Sequence, residues 1–204
     1  MIEEIRRARV AALVLAAGCS SRMGQRNKLL CRVEGVPLVQ HAVDAACTSR
    51  AYQVVVVTGH DCERVEAALQ GWPVSLIYNP DYASGMASSL RCGLHALRDD
   101  AEAVIVLLAD MPGIEGLHID CMIDAFDPAR PFVLVPEHEG RRGNPVLWPR
   151  RYFAEMAALS GDTGARSLLR RYVQDVRSVS FDSPAILIDV DTPDALRGLS
   201  TNEP

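Results

Sequence analysis

Ala11 to Leu30 reads AALVLAAGCSSRMGQRNKLL, and the change of character within it decides the fold class. A short apolar run suited to a buried strand gives way at once to small, polar and basic residues. An α/β protein presents a loop to a polyanion in this way, at the carboxyl end of a strand. Ala16, Ala17 and Gly18 carry little or no side chain, so their backbone N–H groups can approach a ligand closely, and Arg22, Arg26 and Lys28 can supply positive charge. The familiar glycine loops do not fit. G-x-G-x-x-G is absent, and the P-loop needs Lys directly after its second Gly, whereas Gly24 is followed by Gln25.

The rest of the chain agrees with one domain of ordinary globular composition. Its 204 residues bury one substantial core, 49% of them are hydrophobic, and no apolar run approaches a membrane span. A net charge of -5 excludes a broad nucleic-acid surface and leaves the basic residues to act by local clustering. The six cysteines, Cys19, Cys31, Cys47, Cys62, Cys92 and Cys121, form no C-x-x-C pair, which fits reduced thiols in the cytoplasm better than zinc or a redox dithiol. Arg6, Arg7 and Arg9 ahead of an apolar run ending at Cys19 imitate a lipoprotein signal. The run is short, however, Glu3 and Glu4 interrupt the basic region, and cleavage would remove the first strand. Residues 1–9 therefore read as an extension and 200–204 as a flexible tail.

Strand-like and helix-like segments alternate at βαβ spacing, which predicts a mainly parallel sheet. Helices are expected from Pro37 to Cys47, from Asp61 as a cap to Gln70, from Met86 to Leu97 and from Leu117 to Phe126. Later ones are expected over Tyr152 to Leu159, over Ala165 to Val173 and from Pro193. Tyr52 to Thr58, Val74 to Tyr78, Ala103 to Leu108, Val176 to Val179 and Ala185 to Ile188 read as strands. Phe132 to Val135 and Asn144 to Trp148 read as a strand pair around the turn EHEGRRG, forming a small flap over the site.

Several residues have the chemistry of a phosphate site. Asp110 follows the apolar run VIVLLA, where a carboxylate reaches a metal-bound triphosphate from the rim of the sheet, or else caps the turn Met111-Pro112-Gly113. Asp189 and Asp191 flank Val190, so an extended backbone points both carboxylates to one face, although Asp191 also suits a helix cap. Lys28 and Arg22 can neutralise charge on the α-phosphate and the departing pyrophosphate, or occupy a solvated loop face. Asn79 leads a polar loop into a helix, with Ser84, Gly85, Ser88 and Ser89 able to hold a base, ribose or phosphate, or with Ser84 only capping. Asp162, Thr163, Gly164 and Arg166 precede an apolar helix. There Arg166 can grip an acceptor phosphate, or Asp162 can cap the helix with Arg166 solvated.

LAAGCSSRMGQRNKLL closely resembles the signature loop of the nucleotidylyltransferases that attach CMP or GMP to molybdopterin, the MobA-like group. NPDYASGMASSL from Asn79, LLADMP from Leu107, GDTGARSLL from Gly161 and DVDTP from Asp189 extend the resemblance over almost the whole chain, and the Asn79 and Gly161 segments are similar to the cytidylyltransferase branch. The resemblance implies a Rossmann-like three-layer α/β sandwich with a mixed, mainly parallel sheet, of the nucleotide-diphospho-sugar-transferase type. It implies Mg²⁺ held by Asp110 and Asp189, an NTP along Leu15 to Gly18 and the Asn79 segment, and transfer of CMP from CTP to molybdopterin with release of pyrophosphate. A molybdoenzyme or its chaperone would receive the product, with no nucleic acid or membrane involved. Where the family usually has Gly-His-Pro, this chain reads Gly143-Asn144-Pro145, which keeps a hydrogen-bonding group at the acceptor side but loses an imidazole. Two other readings stand beside this one: a sugar- or polyol-phosphate nucleotidylyltransferase, and a nucleotide-binding protein without turnover.

Overall fold

Val10–Ala16 forms β1, buried at six of its seven residues, and the sheet is built outward from it. A computed structural model describes residues 8–19, 27–162 and 164–190. In chain order the remaining elements begin with β2 (Arg32–Val33), β3 (Val36–Pro37), α1 (Leu38–Thr48), β4 (Gln53–Thr58), α2 (Cys62–Ala68), β5 (Ser75–Tyr78), α3 (Met86–His95) and β6 (Ala103–Leu108). Next come α4 (Gly116–Asp124), β7 (Val133–His138), β8 (Arg141–Arg142), β9 (Val146–Pro149), α5 (Phe153–Ala157), α6 (Arg166–Arg171) and β10 (Val176–Ser180).

Among the described residues the main sheet runs β10-β7-β9-β6-β1-β4-β5, with β8 paired to β7. β1 pairs in parallel with both β4 and β6, and β9 runs antiparallel between β6 and β7. Alternate residues of β1 serve opposite faces, as the two-residue period of a strand requires. Ala12 and Val14 join Val39 and Val43 of α1, Val65 of α2 and Ile119 and Met122 of α4 in one buried cluster. Leu13 joins Leu90 and Leu94 of α3, Met156 of α5 and Leu168 of α6 in the other. Helices therefore cover both faces, giving the three-layer sandwich with a mixed, mainly parallel sheet that the family resemblance implied.

The contact between α3 and β1 depends on Gly93. A Cβ there would overlap the Leu13 side chain and lie 2.9 Å from Cγ2 of Val57. Gly93→Ala is expected to destabilise the protein by about 1–3 kcal/mol through overpacking, read as a lower denaturant midpoint with an unchanged slope.

Four expectations need correction or fall elsewhere. Ala185 to Ile188 is not a strand: Pro184–Leu187 forms a 3-10 turn, because Pro184 fixes the backbone and the Ser183 hydroxyl oxygen accepts from Ala185 N at 3.2 Å. The Phe132 and Asn144 segments supply β7 and β9 of the main sheet rather than a separate flap. Leu134 and Leu147 face one helical layer while Val133, Val135 and Trp148 face the other, so these strands are buried on both sides. Asp61 stands at the head of α2 in a left-handed conformation (φ 56°), makes no capping bond and pairs with Arg64 at 3.0 Å instead. The helix expected from Pro193 lies outside the described residues.

Candidate active site

The chain passes from β1 to β4 and β5 on one side of the sheet, then returns to β6 on the other. Adjacent loops diverge at such a reversal, leaving a crevice at the carboxyl ends of the strands. A cleft of about 650 Å³ opens there. Leu15, Ala17, Gly18, Cys19, Lys28 and Asp110 line it from the β1 and β6 sides, and Tyr82, Ser84, Gly85, Met86, Ser89, Gly161 and Asp162 from the other.

At its centre the Lys28 ammonium donates to Oδ2 of Asp110 at 2.7 Å, both side chains being less than one-fifth exposed. The other carboxylate oxygen, Oδ1, is buried with no hydrogen-bond partner. A buried acceptor left without a donor is costly, and a cation is the kind of partner that relieves it. Among the described residues no three His, Cys, Asp or Glu side chains gather to form a closed metal cage. One free carboxylate oxygen still fits Mg²⁺, which commonly takes one or two carboxylates and completes its shell with substrate phosphates and water. The main chain brings Asp189 to the same corner, since Val190 N donates to Asp110 O at 2.9 Å while Val190 itself is buried with Val33 and Leu38. The Asp189 side chain is exposed. Arg22, Thr163 and Asp191 lie outside the described residues.

Lys28 owes its place to Asn27, a residue the motif reading passed over. Asn27 is 5% exposed; its Oδ1 accepts from Leu29 N at 3.0 Å and caps the turn Lys28–Leu30, while its Nδ2 reaches the carbonyl of His60 at 3.5 Å. His60 N in turn donates to Ala17 O at 3.2 Å. The turn bearing the cation is thus tied to both loops of the cleft wall. An Asn directly before the short Lys-Leu-Leu turn was the available signal. Tyr82, the lone aromatic in its loop, was passed over too.

The other predicted residues divide clearly. Leu15, Ala17, Gly18, Ser84, Gly85, Ser89 and Asp162 line the cleft, whereas Ala16, Asn79, Ser88, Asn144, Gly164 and Arg166 do not. Ala16 belongs to the core. Asn79 is 2% exposed and braces its own loop: Nδ2 donates to the hydroxyls of Ser88 and Ser89 at 2.9 and 3.0 Å, and Oδ1 accepts from Asp81 N at 3.0 Å. Arg166 is exposed at the start of α6, and Asn144 lies beside Ile186, to whose carbonyl its N–H donates at 2.9 Å. The Ala17 methyl is only 3% exposed and faces Gly59, where an added Cβ would come within 2.8 Å of it. The amides at the head of α3 are engaged within the chain. Met86 N donates to Oδ1 of Asp162 at 3.1 Å, and Ala87 N to Gly161 O at 3.1 Å. Asp162 therefore caps α3, not the helix that follows it in sequence.

A family model for the MobA-like NTP transferase domain matches residues 12–176. Two relatives align along nearly their whole length: nicotine blue oxidoreductase of Paenarthrobacter nicotinovorans, 29% identical over 90% of this chain and 92% of the relative, and molybdenum cofactor cytidylyltransferase of Escherichia coli, 28% identical over 91% and 92%. Bifunctional protein GlmU of Sorangium cellulosum is 34% identical over 59% of this chain but only 27% of its own. Among solved structures, Rv0371c of Mycobacterium tuberculosis in complex with manganese superposes with a TM-score of 0.82 at 26% identity, covering 96% of this chain and all of that one. Among the described residues, no helix is long and apolar enough to cross a membrane.

Proposed function

The chain belongs to the MobA-like NTP transferase family, and from that premise we propose that it is a nucleotidylyltransferase that moves a nucleoside monophosphate from an NTP to a phosphate-bearing small molecule. The observation that carries this reading is the Lys28–Asp110 pair at the switch point of the sheet, with Oδ1 of Asp110 buried and unmet. An oxygen of the acceptor phosphate attacks the α-phosphorus, a new P–O bond forms, and the bond to the bridging oxygen breaks, so that pyrophosphate leaves with the electron pair. Lys28 presents fixed positive charge where negative charge builds, and the small residues Ala17 and Gly18 let the backbone approach the phosphates. Bound Mg²⁺, held by Asp110 with Asp189 beside it, would supply charge neutralisation across the triphosphate. The manganese complex of Rv0371c supports a divalent cation in this fold.

For the acceptor, a sugar or polyol phosphate stands ahead of molybdopterin. Asn144 replaces the imidazole of the molybdopterin-linked pattern, Arg166 is absent from the cleft lining, and GlmU, though aligned over a shorter stretch, is 34% identical where the molybdenum cofactor relative is 28%. The test is pyrophosphate release from each NTP with Mg²⁺, offered sugar phosphates, polyol phosphates and molybdopterin in turn. Release that depends on one acceptor identifies it, and no release with any acceptor overturns the reading in favour of binding without turnover.

CTP remains the proposed donor. The first loop reads Leu15-Ala16-Ala17-Gly18, where GMP-transferring members carry a second glycine, and a tighter loop favours the smaller base. A preference for CTP over GTP of at least about tenfold in kcat/KM is expected, equivalent to about 1.4 kcal/mol. Because the methyl of Ala17 rests on Gly59, Ala17→Gly should narrow that preference by loosening the wall behind the base.

A further inference from the structure

Among the described residues that line the cleft, Tyr82 is the one aromatic, and the chemistry assigned to Lys28 and Asp110 gives it no part. Its position is set by the protein itself. A Cβ on Gly59 would lie 2.6 Å from the Cβ of Tyr82 and 2.8 Å from that of Ala17, so the absent side chain lets both residues close on one spot. The His60 ring stands beside the Tyr82 ring, 6.1 Å between centroids and tilted by 52°. The loop that carries Tyr82 is pinned at its base by Asn79, whose Nδ2 donates to the Ser88 and Ser89 hydroxyls at 2.9 and 3.0 Å and whose Oδ1 accepts from Asp81 N at 3.0 Å. Within the loop the Ser84 hydroxyl donates to Asp81 O at 2.8 Å. Tyr82 packs against the buried cluster that includes Ala17, yet it is only half-buried and keeps part of its surface in the cleft. Aromatic surface left facing water is unfavourable, and the flat, uncharged part of an NTP is its base. A base laid on an aromatic ring gains stacking whatever its identity, because every base has a π-face.

We propose that Tyr82 is the platform on which the nucleobase stacks, so that the cleft takes an NTP with its base on Tyr82 and its phosphates at Lys28; the assignment rests on the nucleotide-binding half of the reading above and needs no transfer. Tyr82 then supplies affinity common to all bases, and the choice among them stays with the wall at Ala17. The test measures binding to the full chain by calorimetry with Mg²⁺ present, setting CTP and GTP beside inorganic tripolyphosphate, which carries phosphates and no base. Tyr82→Leu should weaken both nucleotides about tenfold and leave tripolyphosphate within about twofold, whereas Tyr82→Phe, which keeps the ring, should hold all three within about twofold. Lys28→Ala should weaken nucleotide and tripolyphosphate alike. Tyr82→Trp gives a second readout that stands even if the Leu variant fails to fold: the emission added to that of Trp72 and Trp148 should be quenched by CTP and left unmoved by tripolyphosphate. Unchanged CTP affinity in Tyr82→Leu, or equal losses for CTP and tripolyphosphate, overturns the assignment, as does CTP binding to Tyr82→Trp without quenching. A loss confined to one base also overturns it, by making Tyr82 a base-selecting contact instead. Failure of the wild-type protein to bind either nucleotide would remove the nucleotide reading itself, whereas binding without transfer would count against the function and leave the platform standing.

Discussion

Asp110→Asn is expected to lower nucleotidyl transfer at least about a hundredfold while leaving the protein folded. The side chain does two things at once: Oδ2 accepts the Lys28 ammonium, and Oδ1 lies buried without a donor. An amide can imitate the shape but not the charge, and one of its two positions would present N–H groups where a cation is expected. The cost in stability should be far smaller, about 1–2 kcal/mol for a lost charge-assisted hydrogen bond, because no core contact depends on the carboxylate. Steady-state rates at saturating Mg²⁺, set beside a urea titration of both proteins, check the two halves of the expectation. Wild-type rates in the variant would remove Asp110 from the site. The same assay divides the neighbouring carboxylates. A comparable loss is expected for Asp189→Asn, and a loss confined to Asp191→Asn would transfer the second ligand role to Asp191.

Lys28→Ala is expected to reduce kcat about a hundredfold with a much smaller change in acceptor KM, as for a fixed donor aimed at developing charge. The argument is geometric. Lys28 is held by a capped turn whose cap, Asn27, is anchored to His60, so the ammonium is delivered to Asp110 without searching. Lys28→Arg should recover only part of the loss, because a guanidinium is planar and larger than the point charge the turn was built around. A variant that loses acceptor affinity at unchanged kcat would move Lys28 to the other half of the cleft.

What could be read from the chain was the part governed by local pattern. Ala103–Leu108 appeared at its observed limits, and α1, α3, β4 and β5 within a few residues, because apolar period and β-branching are properties of short windows. Asp110 was legible for the same reason: a carboxylate placed directly after a buried strand can only emerge at the edge of the sheet. The burial of Asn79 and Ser88 was not legible, since hydroxyl and amide groups bind ligands and brace loops with equal ease and only the fold says which. Nor was the cap of α3, which comes from a residue far along the chain, whereas the sequence offered nearby serines. The strand order failed to appear for a related reason. Whether Val146–Pro149 pairs with β6 or hangs over the site depends on burial of both its faces, a tertiary fact.

The insertion of antiparallel β9 beside β6 has an evolutionary consequence. β1, β4, β5 and β6 are adjacent in the sheet and drawn from one unbroken stretch of chain, as are the loops that carry Gly18, Lys28, Ser84 and Asp110. The described residues after Asp110 join that block along the β6–β9 edge, through the packing of α4 on α1 and of α5 on α3, through the Arg50 ion pairs to Asp120 and Asp124, through the strap at Val190 and through the cap at Asp162. A lineage can therefore vary the surface loops of the later half while the strand edge and helix faces that dock it onto the block stay fixed, and with them the Lys28–Asp110 wall of the cleft.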